Sequence, residues 1–177
     1  SPGPMSISSA NTIKDLETIC QNVDTNIKSK IFYAPKKEMI NFFFAKLSRI
    51  LNKKQILPNS ELDTHIKHSK LVICTYPQTT FFDAIMSGPT ILVYNPKLWR
   101  QYKKLDKSYK FLKENNIIFD NPKDAANHIN KIWKDIDEWW QKEDVINAKN
   151  LFLKEFNLPP KNNFSDIFKC LKIFKNV

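Results

Sequence analysis

The chain has 177 residues, 28 of them basic and 18 acidic, for a formal net charge of +10. With 42% hydrophobic and 12% aromatic residues it is a globular chain, of a length that suits one α/β domain. Only Gly3 and Gly88 are glycine, so neither a Walker-type loop nor a GxGxxG turn exists here, and any phosphate contact must be made without glycine-rich backbone. The basic residues are scattered, with no basic helix or aromatic-basic strand face, which argues against nucleic acid as a partner. No apolar run approaches the ~20 residues that span a bilayer. Cys20, Cys74 and Cys170 lie far apart in apolar patterns without a paired metal spacing. That predicts buried reduced thiols, no bound metal and a cytoplasmic location.

Residues 1–5 (Ser1-Pro2-Gly3-Pro4-Met5) read as an expression scar, and residues 6–177 as one domain. Ile13, Leu16, Ile19, Cys20 and Val23 have helical spacing. Lys30 to Ala34 is a β-prone run closed by Pro35. Residues 37–51 carry a wide helical stripe from Met39 to Leu51, and Gln55 to Leu57 is a short strand. Ser60 with Asp63 resembles a capping box that opens a helix ending at His68. Leu71 to Cys74 and Thr90 to Tyr94 are strands on either side of a helix, Phe81 to Met86. A basic helix is expected between Pro96 and Glu114, stopped by Asn115-Asn116, and Ile117 to Phe119 is a fifth strand. Asp120-Asn121-Pro122 starts a long helix with Ile129, Ile132, Trp133, Ile136 and Trp140 on one face; Trp139 points elsewhere. A helix from about Glu143 to Phe156 follows. Residues 157–177 form a helical extension, whose last helix (Phe164 to Phe174) either packs back on the protein or touches a membrane surface.

Strands alternating with helices predict a Rossmann-like parallel sheet of about five strands with helices on both faces. In such sheets ligands sit beyond the carboxyl ends of the strands. The loops that emerge there are 34–36, 75–80 and 95–99. Thr75, Tyr76, Gln78, Thr79 and Thr80 bring hydroxyls and amides, including the N–H groups of Thr79 to Phe81, to a helix N-terminus. Such an end carries about half a positive charge and seats a phosphate. Thr79 and Thr80 hold that phosphate or only cap the helix. Asp83 either favours the helix dipole or contacts ligand. Asn95, Lys97 and Trp99 start a helix around Pro96, or meet a diphosphate or base. Pro35 and Lys36 complete the candidate donor-binding set. His65, His68 and His128 rank low as bases.

The run TYPQTTFFDAIMSGPTILVYNPKLW resembles the donor-binding loop of GT-B glycosyltransferases. It is similar, more narrowly, to bacterial transferases of surface-polysaccharide biosynthesis. Thr79-Thr80, Asp83, Ser87-Gly88-Pro89-Thr90 and Asn95-Pro96-Lys97-Leu98-Trp99 carry the likeness. Downstream, FLKENNIIFDNPKDAANHINKIWKDIDEWW is also similar. The resemblance implies one half of a two-domain GT-B fold, the half that binds the nucleotide sugar, with an N-terminal acceptor domain absent from this chain. It implies a metal-independent glycosyltransferase, cytoplasmic or peripheral to the inner membrane, and a glycan or lipid-linked acceptor. The donor it points to is CMP-linked, of the Kdo or sialic-acid kind. CMP-sugar users pair the serine/threonine motif with a His-Pro pair; Pro35 matches the proline, and Ala34 stands where the histidine would be. The general base belongs to the missing domain, so this chain is expected to be inactive alone.

Overall fold

The computed structural model describes residues 7–35, 45–57, 61–95 and 106–156. Helix α1 (Ile7–Asn22) leads into a single turn, α2 (Thr25–Lys28), and residues 45–50 form a further helix, α3. A 3-10 turn (Lys53–Gln55) and helix α4 (Leu62–His68) precede the first strand, β1 (Val72–Cys74). Helix α5 (Thr79–Ser87) then crosses to β2 (Thr90–Val93). Helix α6 (Asp106–Glu114), β3 (Ile118–Phe119) and helices α7 (Pro122–Ile132), α8 (Ile136–Trp140) and α9 (Glu143–Glu155) complete the described chain.

The three strands form one parallel sheet in the order β1-β2-β3. Val72 lies opposite Thr90 and Cys74 opposite Leu92, while Leu92 also lies opposite Ile118. Every residue of β2 is buried. A strand covered on both faces must be apolar throughout, which is why Thr-Ile-Leu-Val shows no alternation; its one hydroxyl, Thr90 Oγ1, donates to the Gly88 carbonyl at 2.9 Å. Helix α5 supplies Phe81, Ala84 and Ile85 to the core, and α9 supplies Phe152, whose ring meets Phe81 edge-on at 5.6 Å.

The expected five-stranded sheet is corrected: among the described residues the sheet has three strands. The two segments expected as further strands meet only in one parallel bridge, Tyr33 to Ile56, with Tyr33 N–H donating to Gln55 O and Leu57 N–H to Tyr33 O. Two causes end that ladder. Proline at position 35 removes a donor, and the Gln55 side chain takes the carbonyl of Ile31 at 2.8 Å. This pair packs with α1 and α3 around a small separate core of Leu16, Cys20, Leu47 and Leu51.

The local signals elsewhere act as their chemistry requires. Asn116 adopts φ 59°; its N–H reaches the Lys113 carbonyl and that of Ile117 the Leu112 carbonyl, a Schellman stop for α6. Asn121 caps α7 by accepting from Lys123 N–H at 2.9 Å, with Pro122 in the first turn. The long helix expected after Pro122 is two helices, because Asp135 captures the Glu138 N–H and starts α8 afresh. Trp139 is buried, its Nε1 donating to the Asn115 carbonyl at 3.4 Å. It therefore covers its own domain. Cys20 and Cys74 are buried free thiols. No described helix is long and apolar enough to cross a membrane. The 157–177 extension, the Ser60 cap, Cys170, and residues 36–44 and 96–105 lie outside the described residues.

Candidate functional site

Strand β1 ends at Cys74, and the chain turns through Thr75 to Gln78 into α5. The helix is capped from Gln78, which is extended (φ −125°, ψ −169°) and makes no side-chain cap bond. Its carbonyl accepts the Phe81 N–H at 2.8 Å and the Phe82 N–H at 3.4 Å. Phe81 N–H is therefore engaged, and the donors left at this helix end are the N–H groups of Thr79 and Thr80. Neither threonine hydroxyl makes a hydrogen bond among the described residues. The capping alternative for these two residues thus fails: they lie one and two positions inside the helix and satisfy nothing within it.

Beside this turn lies a cavity of about 230 Å³. Thr75 and Tyr76 line it from the loop, Thr80 from α5, and Tyr33 and Ala34 from the bridged segment. Helix α4 contributes His65, the residue that caps its C-terminus contributes Ser69, and α1 contributes Thr12. The floor is apolar, with Leu71, Ile73 and Ile66 among its residues. Among the described residues, no carboxylate lines it.

Burial governs the protonation of what surrounds it. Desolvation, with Tyr76 adding to it, pushes the Tyr33 phenol up to about 12, so it is a neutral O–H donor at any physiological pH. Burial, with Asp83 adding to it, pushes the Cys74 thiol up to about 12, which makes it an inert, protonated wall residue. His65 Nε2 is buried and has no hydrogen-bond partner; the nearest carboxylate, Glu61, stands 4.0 Å away. Among the described residues the cavity is a donor-rich recess without carboxylates, a chemistry that suits phosphate oxygens or sugar hydroxyls.

Of the sequence-derived set, Thr75, Tyr76 and Thr80 are brought together on this wall. Pro35 is buried immediately beyond Ala34. Gln78, Thr79 and Asp83 stand on the α5 entrance without lining the recess; Thr79 and Asp83 are exposed and Gln78 is half-buried. Asn95 is exposed at the carboxyl end of β2 and does not line it. Lys36, Lys97 and Trp99 lie outside the described residues. Sequence reasoning underweighted His65 and Tyr33. The signal for His65 was present: Leu62, His65, Ile66 and Ser69 fall at i, i+3, i+4 and i+7, the inward stripe of an amphipathic helix. His68 is exposed, its Nδ1 donating to the Thr64 carbonyl at 2.8 Å. Among the described residues no group of three His, Cys, Asp or Glu side chains is gathered that would hold a metal.

No curated protein and no solved structure matches this chain significantly. A family model does, over residues 10–169, which takes in most of α1, the cavity wall, the sheet and the described helices that follow it. The chain belongs to the LIC12162 family of transferases.

Proposed function

We propose that this chain is the donor-nucleotide-sugar-binding half of a GT-B-type glycosyltransferase in bacterial surface-polysaccharide biosynthesis, using a CMP-linked donor of the Kdo or sialic-acid kind. The observation that carries the reading is the entrance of α5, where the hydroxyl of Thr80, without a partner among the described residues, lines a donor-rich recess and that of Thr79 stands beside it. The phosphate of the donor takes the N–H groups of Thr79 and Thr80 and their hydroxyls. As the anomeric bond breaks, negative charge grows on that phosphate, and fixed donors stabilise it more in the transition state than in the ground state. Thr75 and Tyr76 flank the nucleoside, and Asp83, Asn95, Pro35, Lys36, Gln78, Lys97 and Trp99 belong to the same donor-binding face. No metal is needed for this charge.

Ala34 removes the histidine of the His-Pro pair that CMP-sugar users carry, yet the recess that Ala34 lines is also lined by an imidazole, that of His65 on α4. Its buried Nε2, which has no hydrogen-bond partner, takes that role beside the phosphate. The recess of about 230 Å³ is smaller than the roughly 300–1,000 Å³ that encloses a small ligand. It therefore holds part of the donor, and the acceptor domain, with the general base and the glycan or lipid-linked acceptor, closes the rest.

The test is a thermal-shift screen with CMP, UDP and their sugar conjugates. A CMP- or UDP-linked donor at one hundred times its dissociation constant is expected to add about 2.7 kcal/mol of stability. A melting temperature unmoved by every nucleotide at millimolar concentration overturns the reading. Sugar transfer is expected from the full-length protein and not from these 177 residues. Donor binding without transfer in the full-length protein would instead identify a nonenzymatic nucleotide-binding module.

A further inference from the structure

Backbone direction reveals an unjoined seam along the outer edge of β1. In a parallel ladder each residue turns its N–H and C=O to one side, and the next residue turns them to the other. Val72 N–H donates to the Pro89 carbonyl at 2.9 Å, so Val72 faces β2. Leu71 and Ile73 therefore present their backbone groups to the opposite edge. On the bridged segment, Tyr33 N–H donates to the Gln55 carbonyl and its own carbonyl accepts from Leu57 N–H, each at 2.8 Å. Phe32 and Ala34 therefore turn their groups away from residues 55–57.

These two edges meet across one gap. Phe32, Tyr33, Leu71 and Ile73 all line both the recess beside Thr80 and a second cavity that adjoins it. The edges also run the same way. Lys30 lines only the second cavity, together with Lys70, and Ala34 lines only the first, together with Tyr76 and Thr80. Like ends thus lie side by side, as a parallel ladder requires. Yet among the described residues the backbone groups of Phe32, Ala34, Leu71 and Ile73 make no hydrogen bond. Ala34, Leu71 and Ile73 are half-buried, and buried backbone donors and acceptors are almost always paired. Two such rows, aligned and unjoined, make a joint that can close. Pro35 leaves it intact, because the donor that proline lacks lies on the side of residues 55–57.

We propose, resting on the donor reading, that nucleotide binding zips Phe32–Ala34 onto β1. Phe32 N–H then donates to the Leu71 carbonyl, Ile73 N–H to that of Phe32, and Ala34 N–H to that of Ile73. The nucleotide meets Thr75, Tyr76 and Thr80 beyond the end of β1, and Pro35 beyond the end of the bridged segment. A ligand that touches both ends gains contacts as they approach. That difference in affinity between the open and closed seam is what shifts the equilibrium.

Amide hydrogen exchange followed residue by residue by NMR, with and without saturating CMP, tests it. Without CMP, the Phe32, Ala34 and Ile73 amides are expected to exchange about tenfold faster than the bonded amides of Tyr33 and Val72, after correction for intrinsic rates. With CMP all three should slow by about tenfold. Phe32 is not one of the proposed nucleotide contacts, so direct shielding does not account for its slowing. If CMP raises the melting temperature but these amides stay fast, the seam does not close and the donor reading survives. If the three amides are already slow without CMP, closure does not answer to the nucleotide and the coupling is overturned. If CMP does not bind at all, the donor reading falls and the coupling falls with it.

Discussion

The Nε2 of Gln55 donates to the carbonyl of Ile31 across 2.8 Å. The same amide nitrogen reaches the Lys28 carbonyl at 3.0 Å, and its Oε1 accepts from Asn52 N–H at 3.0 Å. One buried side chain thus satisfies three backbone groups on two segments, and it occupies the carbonyl that a longer strand would have offered to a neighbour. Replacing it with leucine keeps the size and removes all three bonds. Gln55→Leu is expected to cost about 1–3 kcal/mol, the usual penalty for leaving buried backbone groups unsatisfied. Urea denaturation measures this; unchanged stability would show that the bridged segment is held by packing alone.

Thr79 and Thr80 separate binding from folding. Their hydroxyls have no partner among the described residues, so Thr79→Val and Thr80→Val should each move stability by no more than about 0.5 kcal/mol. Affinity for a CMP donor should fall by about 1.5–3 kcal/mol for each lost bond to the charged phosphate. A double variant that binds normally but melts early would make the pair structural.

His128 stands between Phe119 and Trp139, with ring centres at 5.4 and 5.1 Å. Burial, aided by Lys131 and Lys142, lowers its pKa to about 4, and its Nε2 has no partner. Its folded pKa is therefore below the unfolded value of about 6.5. The unfolded chain binds the proton more readily, so stability is complete above about pH 6.5 and declines as pH falls toward 4. Allowing for screening of a half-buried ring, the loss is about 1–2 kcal/mol. His128→Gln should flatten this part of the pH profile. Parallel profiles for the variant and the parent between pH 4 and 7 would refute the assignment.

Asn116 holds the one positive φ described for a residue other than glycine, 59°. A β-branched side chain there clashes with the following carbonyl, so Asn116→Val should cost about 1–2 kcal/mol. Asn116→Gly removes the clash and should lie within about 0.5 kcal/mol of the parent. Thermal melts of the two variants should differ accordingly, and identical melts would mean that this stop does not constrain the fold.

Much of this architecture was legible in single residues. The uninterrupted apolar run of β2, the Asn115-Asn116 stop and the Asn121-Pro122 start are each local: backbone preferences and caps act within four residues, and the sequence states them directly. The loop from Thr75 to Thr80 was also readable as the carboxyl end of a strand meeting a helix. Only the tertiary structure decided how many strands join the sheet, because that turned on Gln55 reaching carbonyls 24 and 27 residues away. It alone decided that Trp139 faces inward onto Asn115, also 24 residues distant. It alone brought His65 and Tyr33 to the recess beside Thr80. Such outcomes depend on which groups meet across the fold, and competition between distant donors for one carbonyl leaves no periodicity in the chain.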